Sequence, residues 1–164
     1  MRIIVMGVSG CGKSTVGQAI ADNLGLPFIE GDTLHSAESK RKMAEGVPLS
    51  DEDRWPWLDR VGQKLGAADA GAVAACSALR LAYRQRLRCA AGKDLKFIFL
   101  HGQRDLLQQR MEKREGHFMP PALLESQLET LENPEREVGV LTLDVSHDPS
   151  TLARQATNWL LSEQ

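Results

Sequence analysis

What is scarce in this chain narrows it first. Only three cysteines, Cys11, Cys76 and Cys89, stand among 164 residues, and none forms a C-x-x-C pair. That excludes a disulfide framework and the common zinc spacings, and it suits a reducing compartment. No apolar run approaches the ~20 residues of a membrane span. The apolar start is too short for a signal peptide and leads straight into a glycine loop. Neither sign of charge dominates, with 20 Lys plus Arg against 22 Asp plus Glu. Nothing global therefore calls for nucleic acid or an anionic membrane, and any anion binding must be local. Repeats, linkers and low-complexity tracts are missing too. What remains is one domain over residues 1–164, able to bury a real core, with the cytoplasm as its expected location.

What is present is concentrated near the N-terminus. Gly7-Val-Ser-Gly-Cys-Gly-Lys-Ser14 has the form G-x-x-x-x-G-K-[ST]. The apolar run Ile3–Met6 precedes it and reads as a buried strand. Val16, Ala19, Ile20, Ala21 and Leu24 follow at helical spacing, and Gly25 supplies a stop. Strand, glycine loop and helix together make a P-loop, whose amides and helix dipole bind phosphate oxygens. Lys13 is expected to reach the β- and γ-phosphates and Ser14 to place its hydroxyl on Mg²⁺. Cys11 occupies a position the motif leaves free, where a small side chain simply fills space.

The rest of the chain alternates strands and helices. Leu26–Glu30, Ala72–Cys76, Leu95–Leu100 and Val138–Asp144 read as four further strands. Helical patterns follow Ser50-Asp-Glu-Asp53, Arg80, Leu106 and Leu124, with a last helix that Ser150 can cap. The acidic run at Ser50–Asp53 suits a helix start, and Pro56 is tolerable in a first turn. The segment Arg114–Pro121 breaks the pattern as a loop, and residues 114–135 are expected to form a lid. Five strands alternating with helices predict an α/β fold: a five-stranded parallel sheet with helices on both faces, as in P-loop NTPases.

A P-loop alone says that a nucleoside triphosphate binds. A GTPase would need a guanine-reading N-K-x-D, and the chain has none. A D-x-x-G switch should follow a strand, but Asp22–Gly25 and Asp59–Gly62 lie in helical segments. A motor ATPase would want an apolar strand ending in Asp, and the third strand ends in Cys76-Ser77. Small-molecule kinases remain, alongside a non-enzymatic nucleotide-binding module. A kinase must hold an acceptor hydroxyl in line with the γ-phosphate and neutralise the spreading charge. Asp32, at a strand tip, can take the hydroxyl proton or cap a helix. Arg110 and Arg114 lie one turn apart and lead into the lid, where they could meet phosphates or adenine. Arg54, Arg80 and Arg84 suit an anionic acceptor, because arginine grips a carboxylate bidentately.

These pieces resemble the gluconate kinases, a branch of the shikimate-kinase-like P-loop kinases. The resemblance rests on the P-loop, Gly31-Asp32-x-Leu34-His35, Lys42-Met43, Gly46-Val-Pro48-Leu49 and Asp51-Glu-Asp-Arg54 with Pro56-Trp57-Leu58. It continues through Cys76-Ser77-Ala78-Leu79 with Tyr83-Arg84, Arg114-Glu-Gly116-His117-Phe118, and Ser126-Gln127. It implies transfer from ATP, with Mg²⁺, to D-gluconate, in a chain that is commonly a homodimer. Another sugar acid or a shikimate-like acceptor is the alternative. By position, Gly7, Val8, Ser9, Gly10, Cys11, Gly12, Lys13, Ser14 and Thr15 would hold ATP, with Arg110 by the adenine and Arg114 by the transferring phosphate. Lys13, Asp32 and Arg114 would be catalytic. Asp32, His35, Arg54, Arg80, Arg84, His117 and Gln127 would form the sugar-acid pocket. Two departures stand out: Arg80 replaces the family's usual Lys, and Ser36 and Ser39 replace its Pro and Asn.

Overall fold

The strand β1, Arg2–Met6, sends Ile3 and Val5 to one side of a sheet and Ile4 and Met6 to the other, all four fully buried. Successive side chains of a strand alternate faces, so one apolar run feeds two cores. β1 pairs in parallel with β3 (Ala72–Ala75) and β4 (Lys96–His101). Outside these lie β2 (Phe28–Glu30), against β3, and β5 (Val140–Asp144), against β4. The order is β2-β3-β1-β4-β5, all parallel, which is the fold the alternation predicts. The computed structural model describes residues 1–113 and 121–163.

The helices α1 (Lys13–Leu24) and α7 (Pro149–Ser162) close the first core through Val16, Ile20, Leu152, Ala156 and Leu160. The helices α3 (Asp51–Gly66) and α4 (Leu81–Ala91) close the second through Trp57, Leu58, Val61, Leu65, Tyr83 and Leu87. α3 and α4 touch closely: a Cβ on Gly62 would lie 2.5 Å from that of Ala90. Three shorter helices, α2 (Ala37–Ala44), α5 (Arg104–Glu112) and α6 (Pro121–Thr130), sit above the carboxyl ends of the strands or beside the P-loop. Open α/β sheets bind ligands at those ends.

Element ends differ from expectation where the backbone has other bonds to make. β2 starts at Phe28 rather than Leu26, because the Leu26 amide bonds back to Ala21 in α1 and Pro27 has no N–H for a ladder. β5 starts at Val140; Val138 is 93% exposed. α7 is capped by Asp148, which accepts from the Thr151 amide, with Pro149 at the first helical position; Ser150 lies inside the helix. A proline there costs nothing, since its missing N–H would have no partner. A Ser50–Asp53 capping box starts α3 early enough to put Pro56 past the first turn.

Candidate active site

The P-loop leaves β1 and turns tightly under the end of β4. A Cβ on Gly7 would sit 2.7 Å from the Leu100 carbonyl oxygen and 2.8 Å from the Cys11 sulfur. Gly12 caps α1 with φ 93° and no side-chain hydrogen bond. The first-turn amides of α1 are therefore not capped by a side chain, the condition for an anion to take them. A Cβ on Gly12 would meet nothing within 4 Å, so the loop leaves open space there. Lys13 donates from Nζ to the Val8 carbonyl at 3.0 Å, folded across the loop. Ser14 is half-buried at the helix start and Thr15 is exposed. Cys11 is 1% exposed and packs into the first core, a filler as expected.

Beside the loop, β2 ends in a 3₁₀ turn, Gly31–Leu34, followed by His35. A Cβ on Gly31 would lie 2.0 Å from the Ala75 carbonyl oxygen, so only glycine lets the turn press against the end of β3. Asp32 is exposed at the tip. His35 is 7% exposed and stacks on Trp57, with ring centroids 4.0 Å apart and planes 16° from parallel. Its Nδ1 is buried without a hydrogen-bond partner among the described residues. Burial above all lowers its pKa from 6.5 to about 4; Asp32 opposes that shift, while Arg54, Arg60 and Lys40 add to it. The ring is neutral at pH 7.

Lys13, Asp32, His35 and Arg54 line one cleft with Ser9, Ser77 and Gln127. Met43, Val47, Leu49 and Leu123 give it apolar walls. None of these four stood out in the sequence as a site residue, because an isolated apolar side chain signals only burial. Lys42 donates to both oxygens of Asp53 at 2.9 and 3.0 Å, which ties α2 to the start of α3 and sets the wall that Met43 belongs to. Arg54 is shared with a second cleft that also holds Asp51, Arg80 and Tyr83. Both arginines stand over the Tyr83 ring, at 5.5 and 5.9 Å. Asp51 accepts from the Tyr83 hydroxyl and from Arg80. Burial first, then that bond, pushes the Tyr83 hydroxyl up to about 12. The acidic run is thus occupied: Asp51 holds Tyr83 and Arg80, and Asp53 holds Lys42 and the Ser50 amide.

Arg84 departs from expectation. It is fully buried, and its guanidinium donates to the carbonyls of Ala78, Leu79 and Glu132 and to the Glu137 carboxylate. With Nε and both terminal nitrogens engaged, it has no face for a substrate. It braces the loop after β3, where Ala78 has φ 46°, against the segment before β5. Nothing along the chain signals this, since an arginine on a helix beside sheet ends reads alike in either role. Glu137 is the residue that decides it. Burial raises that carboxyl, but Arg84 and Arg88 outweigh burial and hold it below the usual range.

Gln127, on α6, reaches the P-loop: its Oε1 accepts from the Ser9 amide at 2.7 Å and its Nε2 donates to the Ser9 hydroxyl at 3.0 Å. Arg110, on α5, donates to the Val145 carbonyl at 2.6 Å. α5 itself abuts the P-loop, where a Cβ on Gly10 would come 2.9 Å from Met111. Arg114 and His117 lie outside the described residues, as does the first part of the expected 114–135 lid. At the opposite end of the sheet, a cavity lined by Arg2 and Lys96 has both cations engaged, Arg2 with the Leu65 and Gly66 carbonyls and Lys96 with Glu163.

The shikimate kinase family model matches residues 9–157. A gluconokinase of Gluconobacter oxydans is 43% identical, the match covering 93% of this chain and 87% of that protein. The thermosensitive gluconokinase of Escherichia coli is 40% identical over 97% of this chain and 87% of its own. The chain belongs to the gluconokinase family. Among solved structures, a gluconokinase from Sinorhizobium meliloti superposes with a TM-score of 0.92 at 51% identity, covering 98% of this chain and 91% of that one. A shikimate kinase from Acinetobacter baumannii, at 22% identity and a TM-score of 0.66, shares the fold. This gluconokinase-family chain is an ATP-dependent sugar-acid kinase. No described helix is long and apolar enough to cross a membrane.

Proposed function

We propose that the chain transfers the γ-phosphoryl group of ATP to D-gluconate, giving ADP and 6-phospho-D-gluconate. The observation that carries this is the single cleft in which Lys13, Asp32, His35 and Arg54 face one another, in a chain 40–43% identical to gluconokinases over nearly its whole length. The P-loop amides and Lys13 hold the triphosphate. Lys13 swings from the Val8 carbonyl to the β- and γ-phosphates, where its charge offsets the charge that spreads in the transition state. Asp32 receives the acceptor hydroxyl and takes its proton as the new P–O bond forms. Arg54 and Arg80 grip the acceptor carboxylate, and a fork-shaped guanidinium at position 80 serves that planar group well. His35 and Gln127 contact the polyol chain.

The donor set suits Mg²⁺. Ser14 offers a hard hydroxyl oxygen at the loop, and no group of three or more metal-binding side chains exists among the described residues. Magnesium commonly rests on few protein ligands plus phosphate and water oxygens. When bound, it neutralises phosphate charge. By the resemblance, Arg110 would serve the adenine, Arg114 the transferring phosphate and His117 the acceptor, with residues 114–135 as the lid. The working form is a cytoplasmic homodimer with no nucleic-acid or membrane partner. The test is ADP release over a panel of gluconate, shikimate, glycerate and related acids, with the product identified. Gluconate is expected to be the best acceptor by at least tenfold. A rate with gluconate equal to that with water would refute the proposal, and a better rate with shikimate would reassign the acceptor.

A further inference from the structure

The backbone amides of the turn that carries Asp32 bond only loosely; its one short internal bond runs from the Thr33 hydroxyl to the Glu30 carbonyl, at 2.7 Å. The His35 amide reaches the Asp32 carbonyl at 3.4 Å, and the Asp32 amide reaches Glu30 Oε1 at 3.4 Å. Both are at the long end for N–H···O bonds. From outside, Lys40 of α2 donates to the Thr33 carbonyl at 3.0 Å, and two shorter bonds come from α3. Trp57 donates its indole N–H to the Gly31 carbonyl at 2.8 Å, and Arg60 donates Nε to the Leu34 carbonyl at 2.8 Å. Gly31 and Leu34 are the first and last residues of the turn. Trp57 and Arg60 are three apart on a helix and so share a face. The Trp57 ring, 1% exposed, also stacks on His35 just beyond the turn. On the other side, the end of β3 presses against Gly31.

We infer that Trp57 and Arg60 are the positioning residues of the acceptor site: together they clamp the Gly31–Leu34 turn at both ends and so set where Asp32 and His35 meet the acceptor. This rests on the reading that the cleft takes a sugar-acid acceptor. The clamp acts on the acceptor side, because neither residue hydrogen-bonds to or stacks on the P-loop among the described residues. The stack also orients the imidazole. A neutral ring has one N–H and one bare nitrogen. Leaving the sealed Nδ1 bare assigns the hydrogen to Nε2, and that assignment avoids burying an orphan N–H. An error of about 1 Å in the position of a reacting group lowers rates strongly, so a turn whose amides bond at 3.4 Å gains from an external template.

The experiment compares Trp57→Phe, which keeps the ring face and loses the N–H, with Arg60→Met, which keeps the apolar stem and loses the donor. Steady-state kinetics are measured with the best acceptor of the panel, alongside circular dichroism. Each variant is expected to lose about 3- to 10-fold in kcat/KM for the acceptor, the size of one hydrogen bond, while the KM for ATP stays within about twofold. Arg60→Lys should recover part of the loss. The double variant should lose less than the product of the single losses, since both act on one turn. Folded variants with unchanged acceptor kinetics would overturn the inference. So would an equal rise in both KM values, the sign of general loosening. If Trp57→Phe does not fold, Arg60→Met alone decides the outcome. Failure of the acceptor reading looks different: the unmodified protein would turn over no acceptor, and both conclusions would fall.

Discussion

The two ends of the cleft are built in opposite ways. The nucleotide end is eight consecutive residues, Gly7–Ser14, and it works mainly through backbone amides that a glycine loop turns inward. The end proposed to take the acceptor draws Asp32 and His35 from the turn after β2, Arg54 from α3, Ser77 from the loop after β3 and Gln127 from α6. It works through side chains, whose directions depend on how α3, α4 and α6 pack. The first end is local and tolerates little change in chain order. The second is a convergence, and it depends on residues whose polar groups bond to other parts of the chain, such as Lys42, Arg84 and Glu137.

That contrast is sharpest in the largest expected effect. Lys13→Ala should cut kcat by about 10²–10³-fold or more, on the scale of a lost oxyanion-type donor, with the circular dichroism spectrum unchanged. Asp32→Asn should cut kcat heavily as well, but with the affinity for ATP preserved. Equal loss of ATP binding in the Asp32 variant would break the division between the two ends. Normal turnover in it would remove Asp32 from the chemistry.

Arg54 and Arg84 test the acceptor end from within. Arg84→Ala leaves the half-buried Glu137 with Arg88 alone and strips three carbonyls of their donor, a loss of about 3 kcal/mol, the low end for breaking a buried pair. The expected readout is a large loss of stability in chemical denaturation. Arg54→Ala should leave stability nearly intact and raise the acceptor KM by about tenfold or more, the value of a hydrogen bond to a charged group. If the two variants behave alike, the assignment of Arg84 to the wall and Arg54 to the pocket fails.

The smallest effect concerns pH. An unfolded histidine takes up its proton near 6.5, and His35 in the folded chain does so near 4. The unfolded state therefore binds more protons between those values. The stability due to the neutral ring is complete above pH 6.5 and is lost as pH falls through 4, on the order of 3 kcal/mol in all. The groups acting on the ring are Asp32, which resists this lowering, and Arg54, Arg60 and Lys40, which promote it. Denaturant titrations at pH 7 and pH 4 should show a smaller drop in His35→Gln than in the unmodified protein. An identical drop would mean that the ring is not the titrating group.

How much of this was legible depends on range. The five strands, their parallel pairing and the P-loop were readable because period, glycine spacing and β-branched runs are short-range signals. Strand ends were less so: β2 loses Leu26 to α1 and Pro27 to its missing amide. Gln127 was readable as a site residue through the resemblance, but its bidentate hold on Ser9, 118 residues away, was not. Trp57 showed itself as part of a motif without showing its two contacts. Of the apolar walls, Met43, Val47 and Leu49 showed themselves only as parts of motifs, and Leu123 only as one more apolar residue.

By itself, then, the sequence determined the fold class, the phosphate loop and the family, because each is encoded by neighbours along the chain or by motifs in fixed order. The tertiary structure alone decided which arginines face the open cleft and which face the wall. An arginine's role depends on what stands opposite its guanidinium. For Arg84 that is Glu137 and three carbonyls, and for Arg54 it is the open cleft shared with Lys13 and Asp32.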